Sequence, residues 1–298
     1  MKTTLEQWRA FQAVVEYGGY AQAAERLHRS QSSISYLVGK LQEQLGVVLL
    51  EVQGRKAELT EAGRVLLEYA QSLLSEANGI ETLAQRIGEG WETTLKLVVD
   101  AAFPTQALVE TMHQFNGRAP ATRVQLTEVV LSGAEDAVLE QQADIAISAH
   151  VPVGRLGQKL CDIEFVAVAR FDHPLHQLGR MLTEHDLKSH LHVVVRDSGM
   201  KQPRNEGWLG SSHRWTVSGF PASRAMVVGG LAFAWLPTHI VQPDLDAGVL
   251  VPLALGPYQR RFGALFLIYG NPDRIGPATA LLAQLLQETV RARCPVPQ

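Results

Sequence analysis

The chain has 298 residues, of which 46% are hydrophobic and 19% charged, and its formal net charge is −3. This length predicts roughly two domains, and the composition is typical of globular proteins rather than disordered ones. The charge balance gives no sign that the whole chain binds nucleic acid, although residues 1–58 carry slightly more Lys and Arg than Glu. The first residues do not resemble a secretory signal, no apolar run is long enough to span a membrane, and Cys161 and Cys294 cannot form a disulfide framework. These features predict a cytoplasmic protein.

Three short helices are predicted at the start of the chain. Thr4 and Gln7 have the spacing of a capping box, and apolar residues follow at helical spacing until Gly18. A second helix is predicted over residues 20–27 and a third over 31–45. Two helices joined by a tight polar turn, of which the second is polar at its start, are typical of a helix-turn-helix.

A short hairpin follows the third predicted helix. Strands are expected over residues 47–50 and 57–59, and the turn between them carries Arg55 and Lys56. Together with the exposed polar side chains of the third helix, this wing could contact phosphates and base edges, although the serines could also serve only as helix caps. The candidate DNA-binding residues are Arg29, Ser30, Gln31, Ser32, Ser33, Ser35, Tyr36, Lys40, Arg55 and Lys56.

The segment AAERLHRSQSSISYLVGKLQEQLGVVLLEVQGRKAELTEAG resembles the N-terminal signature of LysR-type transcriptional regulators. The resemblance covers residues 5–65 and implies a winged helix-turn-helix that binds double-stranded DNA. It places Gln31 to Tyr36 toward the groove and Arg55 and Lys56 in the wing. Tyr36 stands where the family often has arginine, and Val48-Leu49-Leu50 replaces the family's usual aromatic and basic run.

A long amphipathic helix is predicted after the wing. Thr60 is a good N-cap, and large and small apolar residues then repeat every seven residues up to about residue 87. A single helix cannot bury such a stripe, so it packs on its own chain or, as favoured here, on a second copy. The candidate dimerisation residues are Leu66, Ala70, Leu73, Ala77, Ile80, Ala84 and Ile87.

The rest of the chain alternates predicted strands and helices. Strands over residues 95–99, 123–129 and 143–147 are separated by helices, and a predicted capping box over residues 132–135 opens a helix that reaches Gln142. This order predicts a parallel sheet. The second set comprises predicted strands over 164–169, 191–195, 215–217, 232–235 and 261–269, and predicted helices over 222–228 and 277–293.

Two α/β lobes leave a crevice at the carboxyl ends of their strands, where small molecules bind. The loops after the strands supply the candidate effector-binding residues, although Thr105 and Ser132 could be helix caps only and Phe103 and Phe220 could be core residues. These candidates are Phe103, Thr105, Ser132, Gly133, Ser198, Gly199 and Phe220.

The segments TLKLVVDAAFP, SGAEDAVLEQQADIAI and GGLAFAWLP resemble the effector-binding domain of the same family. That resemblance implies a two-lobed domain similar to type 2 periplasmic binding proteins, with a small-molecule effector between the lobes and hydroxyl residues such as Thr105 and Ser132 lining the site. A cofactor is not expected. The implied partners are DNA, a second copy of the chain in a dimer or tetramer, the effector and RNA polymerase, with no membrane.

The overall class is therefore α/β, with an N-terminal all-α winged helix-turn-helix. The predicted domains are residues 1–59 for DNA binding, 60–90 for dimerisation and 91–298 for effector binding. Within the last domain, lobe I covers about 91–162 and 267–298, and lobe II about 163–266.

No phosphate-binding loop or nucleophile motif occurs, so an enzyme is not expected. Asp144 and Cys161 are predicted to be structural, and His190 and His192, on one face of a predicted strand, are not favoured as metal ligands. The alternative function is a two-lobed binding protein or enzyme whose N-terminal helices contact other proteins.

Overall fold

The computed structural model describes residues 2–53, 56–204 and 210–293, and the chain divides into two compact units, residues 1–89 and 90–298. In the described residues, no helix combines the length and apolar character needed to cross a membrane. Those residues also contain no group of three His, Cys, Asp or Glu side chains that could hold a metal ion.

The first unit is helical with one hairpin. Thr4 caps the first helix: its hydroxyl accepts from the Gln7 N–H at 3.3 Å while the Gln7 amide oxygen accepts from the Thr4 N–H at 2.8 Å, which confirms the predicted capping box. The elements are α1 (Leu5–Glu16), α2 (Tyr20–Arg26), α3 (Gln31–Leu45), β1 (Leu50–Gln53), β2 (Lys56–Leu59) and α4 (Glu61–Gly88).

The first strand of the hairpin begins three residues later than predicted. The side-chain oxygen of Gln42 accepts from the N–H groups of Leu49 at 2.7 Å and Leu50 at 3.0 Å. These bonds hold the chain after α3 in a connection, so pairing starts at Leu50, which lies opposite Leu59. The prediction of a strand over residues 47–50 was wrong because it used apolar content alone.

The second unit is built on a sheet with helices packed against it. Its strands are β3 (Thr94–Asp100), β4 (Arg123–Val129), β5 (Ile145–Ser148), β6 (Gly157–Arg170), β7 (His192–Val195), β8 (Arg214–Val217), β9 (Ala234–Pro237), β10 (Leu250–Pro252) and β11 (Arg260–Tyr269). Its helices are α5 (Thr105–Arg118), α6 (Gly133–Leu139), α7 (Pro174–Gln177), α8 (Glu184–Lys188), α9 (Phe220–Val228), α10 (Thr238–Asp246) and α11 (Pro277–Arg293).

Strand pairing produces two lobes. The sheet order is β10-β6-β11-β5-β3-β4, with β9 also paired to β6, and β3 pairs in parallel with both β4 and β5 as predicted. The long strands β6 and β11 run antiparallel to each other, so that β11 joins β5 at one end while β6 joins β9 and β10 at the other. They therefore pass from one lobe to the other, and β7 and β8 form a separate parallel pair.

Three local predictions for this unit are corrected. The Ser132 hydroxyl makes no capping bond within α6, so no capping box exists there, and α6 ends at Leu139 rather than Gln142 because Gln141 adopts a left-handed φ of 56°. His190 precedes β7, so it does not share a strand face with His192. Cys161 is buried in the core, as predicted, and the carboxylate of Asp144 accepts from the Lys96 N–H at 2.7 Å, a structural role.

Candidate nucleic-acid interface and effector site

Helix α3 has a buried face and an exposed polar face. Ile34, Val38 and Leu41 are buried in the core of the first unit, so the rotation of the helix is set by packing. The Ser30 hydroxyl caps the helix by accepting from the Ser33 N–H at 3.2 Å. On the opposite side, exposed residues follow at helical spacing, with Tyr36 69% exposed. They are Gln31, Ser32, Ser35 and Tyr36, whereas Ser33 is half-buried.

The described cations near this face are paired with carboxylates that the sequence prediction did not include. Arg29 contacts Glu6 at 2.8 Å and Lys40 contacts Glu43 at 2.8 Å. The second pair has an i,i+3 spacing that the sequence could have revealed, whereas the first joins the turn before α3 to α1. Both pairs are largely exposed, so exchanging a carboxylate for a phosphate costs little. Arg55 and the side chain of Lys56 lie outside the described residues.

Helix α4 separates its apolar residues onto two faces. Leu66, Leu67, Ala70 and Leu74 pack into the core of the first unit, and Ala70 is only 2% exposed. Leu66 and Ala70 thus pack on their own chain, which removes both from the predicted dimer seam. The other face leaves a second set exposed, which we call the outer stripe. It consists of Val65, Tyr69, Leu73, Ile80 and Ile87.

The effector candidates of the second unit fall into different environments. Phe103 is buried in the main core, and Thr105 is exposed as the first residue of α5, where Pro104 holds the N-cap position. Phe220, the first residue of α9, lines a cavity between the lobes. The remaining four candidates (Ser132, Gly133, Ser198 and Gly199) contact one another at a second place in this unit.

Ser132 and Gly133 of the first lobe lie directly against Ser198 and Gly199 of the second. The Val130 N–H donates to the Ser198 hydroxyl at 2.9 Å. A Cβ on Gly199 would lie 2.0 Å from the Ser132 Oγ, and one on Gly133 would lie 2.1 Å from the Ser198 Oγ. Only glycine permits this approach. The side chains and backbone of these four residues therefore fill this part of the crevice.

The carboxylate of Asp197 links the two sides of this contact. We call the contact between residues 130–136 and residues 197–204 the clasp. It accepts from the N–H of Ser132 at 3.0 Å, the hydroxyl of Ser132 at 2.6 Å and the N–H groups of Gly199 at 2.8 Å and Arg204 at 2.6 Å. Asp197 was not among the predicted site residues, since no local pattern links it to a position 65 residues earlier.

Two further acidic residues on α6 reinforce the clasp. The guanidinium of Arg204 makes a two-point contact with Glu135 at 3.0 and 3.1 Å. The carboxylate of Asp136 accepts from the Met200 N–H at 2.6 Å and the Lys201 N–H at 3.2 Å. Segment 197–204 thus bonds to the start of α6 through both side chains and backbone.

Beside the clasp, a cavity of about 330 Å³ opens between the lobes. Its walls come from the ends of β3 and β7, from β9 and from the crossing strands β6 and β11. Most of the lining is apolar or aromatic, which is typical of small-molecule sites. The lining includes Asp100, Phe165, His192, Phe220, Trp235 and Arg261.

Asp100 ends β3 and turns its carboxyl group toward the backbone. The carboxyl accepts from the N–H groups of Ala102 at 2.8 Å and Leu131 at 3.0 Å. Burial outweighs these hydrogen bonds and raises the pKa of Asp100 to about 6. Burial lowers the pKa of His192 to about 4, with a smaller contribution from the charges of Arg214 and Arg261, so His192 is neutral near pH 7.

The raised pKa of Asp100 predicts a measurable loss of stability as pH rises. A carboxyl group with a higher pKa in the folded state stabilises that state below pH 3.8, and this contribution disappears as pH rises through about 6. We expect the unfolding free energy of the wild type, minus that of Asp100→Asn, to fall by about 2 to 3 kcal/mol between pH 4 and 7. Denaturant titrations of both proteins at several pH values measure this difference. The contributions of the other titrating groups are the same in both proteins and cancel. A constant difference would contradict the assignment.

Comparison with known proteins places both units in one family. Residues 5–64 match the model of the bacterial regulatory helix-turn-helix protein, lysR family, and residues 88–291 match the LysR substrate binding domain. The probable HTH-type transcriptional regulator YhaJ of Escherichia coli K12 is 33% identical over 252 residues, which are 83% of this chain and 84% of that protein. The E. coli regulator YeeY is 30% identical over 84% of this chain and 83% of its own.

Solved structures share the fold. CrgA, a LysR-type regulator from Neisseria meningitidis, aligns over 97% of this chain and 99% of its own with 24% identity and a TM-score of 0.52. Full-length LysG from Corynebacterium glutamicum, solved with its bound effector Arg, aligns over 97% and 98% with 17% identity and a TM-score of 0.51. The relatives are transcription regulators, which disfavours the alternative of a binding protein or enzyme. The chain therefore belongs to the LysR-type transcriptional regulators, a non-enzymatic bacterial family, and consists of a helix-turn-helix DNA-binding domain and a two-lobed effector-binding domain.

Proposed function

We propose that the exposed face of α3 reads the operator in the major groove. The observation that carries this assignment is the separation of α3 into a packed underside and an outer row of Gln31, Ser32, Ser35 and Tyr36. Amide and hydroxyl groups of this length reach base edges, and Tyr36 adds a ring that can contact a thymine methyl. Ser30 and Ser33 organise the start of the helix through the bond from the Ser33 N–H to the Ser30 hydroxyl.

Cations around this face supply affinity without sequence preference. Arg29 and Lys40 can release their exposed carboxylates and bind phosphates. Arg55 and Lys56 remain predicted phosphate or minor-groove contacts of the wing. Such contacts release counterions, so binding is expected to weaken steeply with salt.

Dimerisation and effector binding complete the assignment. The domains proposed are 1–59 for DNA binding, 60–90 for pairing through the outer stripe of α4, and 91–298 for effector binding. In the last of these, lobe I covers about 91–162 and 267–298, and lobe II about 163–266. A dimer gives two-fold symmetry that matches a pseudo-palindromic site.

The cavity between the lobes is the proposed effector site. An effector can change DNA binding only if it binds two conformations of the body with different affinity. Closing the lobes around it would alter the spacing of the DNA-binding domains in the dimer or tetramer, and so change promoter bending or contact with RNA polymerase in the bacterial cytoplasm.

The test is binding to fluorescent promoter fragments, including the DNA upstream of the protein's own gene, across a salt series. We expect Gln31→Ala/Ser35→Ala to weaken binding to the preferred fragment by roughly 30-fold to 10,000-fold, since each of the two base contacts is worth about 1 to 3 kcal/mol, and to leave weak non-specific binding in place.

The matched control is Gln71→Ala/Ser75→Ala, which removes the same residue types from exposed positions of α4 outside the outer stripe. This variant is expected to bind like the wild type. Equal losses in the two variants, or no loss in the first, would reject the assignment of α3 as the reading helix.

A further inference from the structure

Arg261 is a half-buried arginine of the effector-binding domain. It lies on β11 in the wall of the cavity. Its neighbour Arg260 pairs with Glu164 at 2.7 Å, and Arg170, Arg180, Arg204 and Arg224 each have a carboxylate partner. Within residues 2–53, 56–204 and 210–293, no carboxylate or other hydrogen-bonding partner contacts the Arg261 guanidinium. Its positive charge thus faces the cavity without a counterion from those residues.

The guanidinium is held in place by an aromatic ring. It lies over Trp235, 4.4 Å from the ring centroid, and the Trp235 Nε1 donates to the Tyr258 carbonyl at 3.3 Å. The ring of His192 contacts Trp235 edge-on at 5.4 Å. A stacked guanidinium keeps the N–H groups at its edge available, which suits the two oxygens of a carboxylate. Burial lowers the pKa of Arg261, as expected for a charge without a counterion.

The remaining lining adds flat apolar surface and little competing charge. Phe165 and Phe220 contribute rings 6.3 Å apart. Asp100 is the acidic group of the lining, and backbone N–H groups already bind its carboxyl. At the clasp, the carboxylate of Asp197 accepts from the N–H and the hydroxyl of Ser132, so these donors are not open to an anionic ligand.

We infer that the cavity binds a planar aromatic monoanion, with its carboxylate on the guanidinium of Arg261 and its ring against the aromatic wall. This inference rests on the proposed role of the cavity as the effector site. One cation and one carboxyl in the lining favour a single negative charge over a phosphate dianion. The volume of about 330 Å³ fits a molecule of one or two fused rings.

The experiment is calorimetric titration of the full-length protein with naphthalene-2-carboxylate and with naphthalene-2-carboxamide, a neutral molecule of nearly the same shape. We expect the wild type to bind the carboxylate roughly tenfold to a hundredfold more tightly than the carboxamide, as a charge-assisted hydrogen-bonded pair would give. Arg261→Met retains the length and apolar stem of the side chain and removes its charge. In this variant the two probes are expected to bind equally.

Arg260→Met is the matched control, because Arg260 is the adjacent residue of β11, lies outside the cavity lining and pairs with Glu164. It is expected to keep the wild-type preference for the carboxylate. Carboxamide binding also shows whether the cavity of each variant is intact, and the wild-type comparison of the two probes needs no variant at all.

Three results would overturn the inference: equal affinity of the wild type for both probes, an unchanged preference in Arg261→Met, or no binding of either probe at millimolar concentration. Binding of promoter DNA by the same wild-type preparation tests the regulator assignment separately. If the protein binds its promoter selectively but binds neither probe, the regulator assignment stands and only the proposed ligand class is rejected.

Discussion

Replacing Asp197 by alanine is expected to lower the unfolding free energy of the effector-binding domain by about 4 kcal/mol. The Asp197 side chain is 9% exposed and accepts four hydrogen bonds, three of them from backbone N–H groups. Alanine leaves these buried donors without an acceptor, and each such donor costs about 1 to 3 kcal/mol. The estimate lies at the lower end of the summed range because water enters part of the space.

Calorimetry of the full-length protein measures this change in the transition of the effector-binding domain. The control is Asp162→Ala, which removes a carboxylate from an exposed pair with Lys159 at 2.8 Å. That change is expected to cost less than about 1 kcal/mol. A loss for Asp197→Ala as small as that of the control would mean that the clasp does not hold the two lobes together in solution.

Ile80→Glu is expected to convert the proposed dimer into monomers at micromolar concentration. Ile80 is 69% exposed in the single chain and lies in the middle of the outer stripe of α4. In a symmetric pair, two carboxylates would be buried against apolar side chains without partners, at a cost of several kcal/mol. Each 1.4 kcal/mol is a factor of ten, so dissociation should increase by roughly a hundredfold or more.

Sedimentation across a concentration series measures the change in dimer dissociation. Promoter binding should weaken in parallel, because a monomer contacts one half-site where a dimer contacts two. Thr82→Glu provides the control, since Thr82 is exposed and lies two residues further along α4, on the other side of the helix. It should remain a dimer. Dissociation of both variants would indicate loss of the helix itself, and dissociation of neither would place the dimer interface elsewhere.

Local sequence patterns were sufficient for the helices of the DNA-binding unit, though not for the first strand of its hairpin. The capping pair Thr4–Gln7, the cap at Ser30 and the glycine after Leu45 act within a few residues, so the bounds of α3 agree with the prediction. The apolar spacing of Ile34, Val38 and Leu41 also determined which face of α3 is exposed. The alternation of apolar strands and helices likewise predicted the parallel order of β3, β4 and β5.

Contacts between distant residues decided the rest. The sequence placed Ser132, Gly133, Ser198 and Gly199 in one crevice, but only the folded chain showed that they contact one another around Asp197. The sequence showed a single apolar stripe on α4, whereas packing in the folded chain buries Ala70 and leaves Ile80 exposed. Arg260 and Arg261 are chemically identical neighbours, and only tertiary structure gives one a carboxylate and the other an aromatic ring in a cavity. Helix caps and periodicity depend on neighbours in sequence, whereas burial and charge pairing depend on which distant groups the fold brings within a few ångströms.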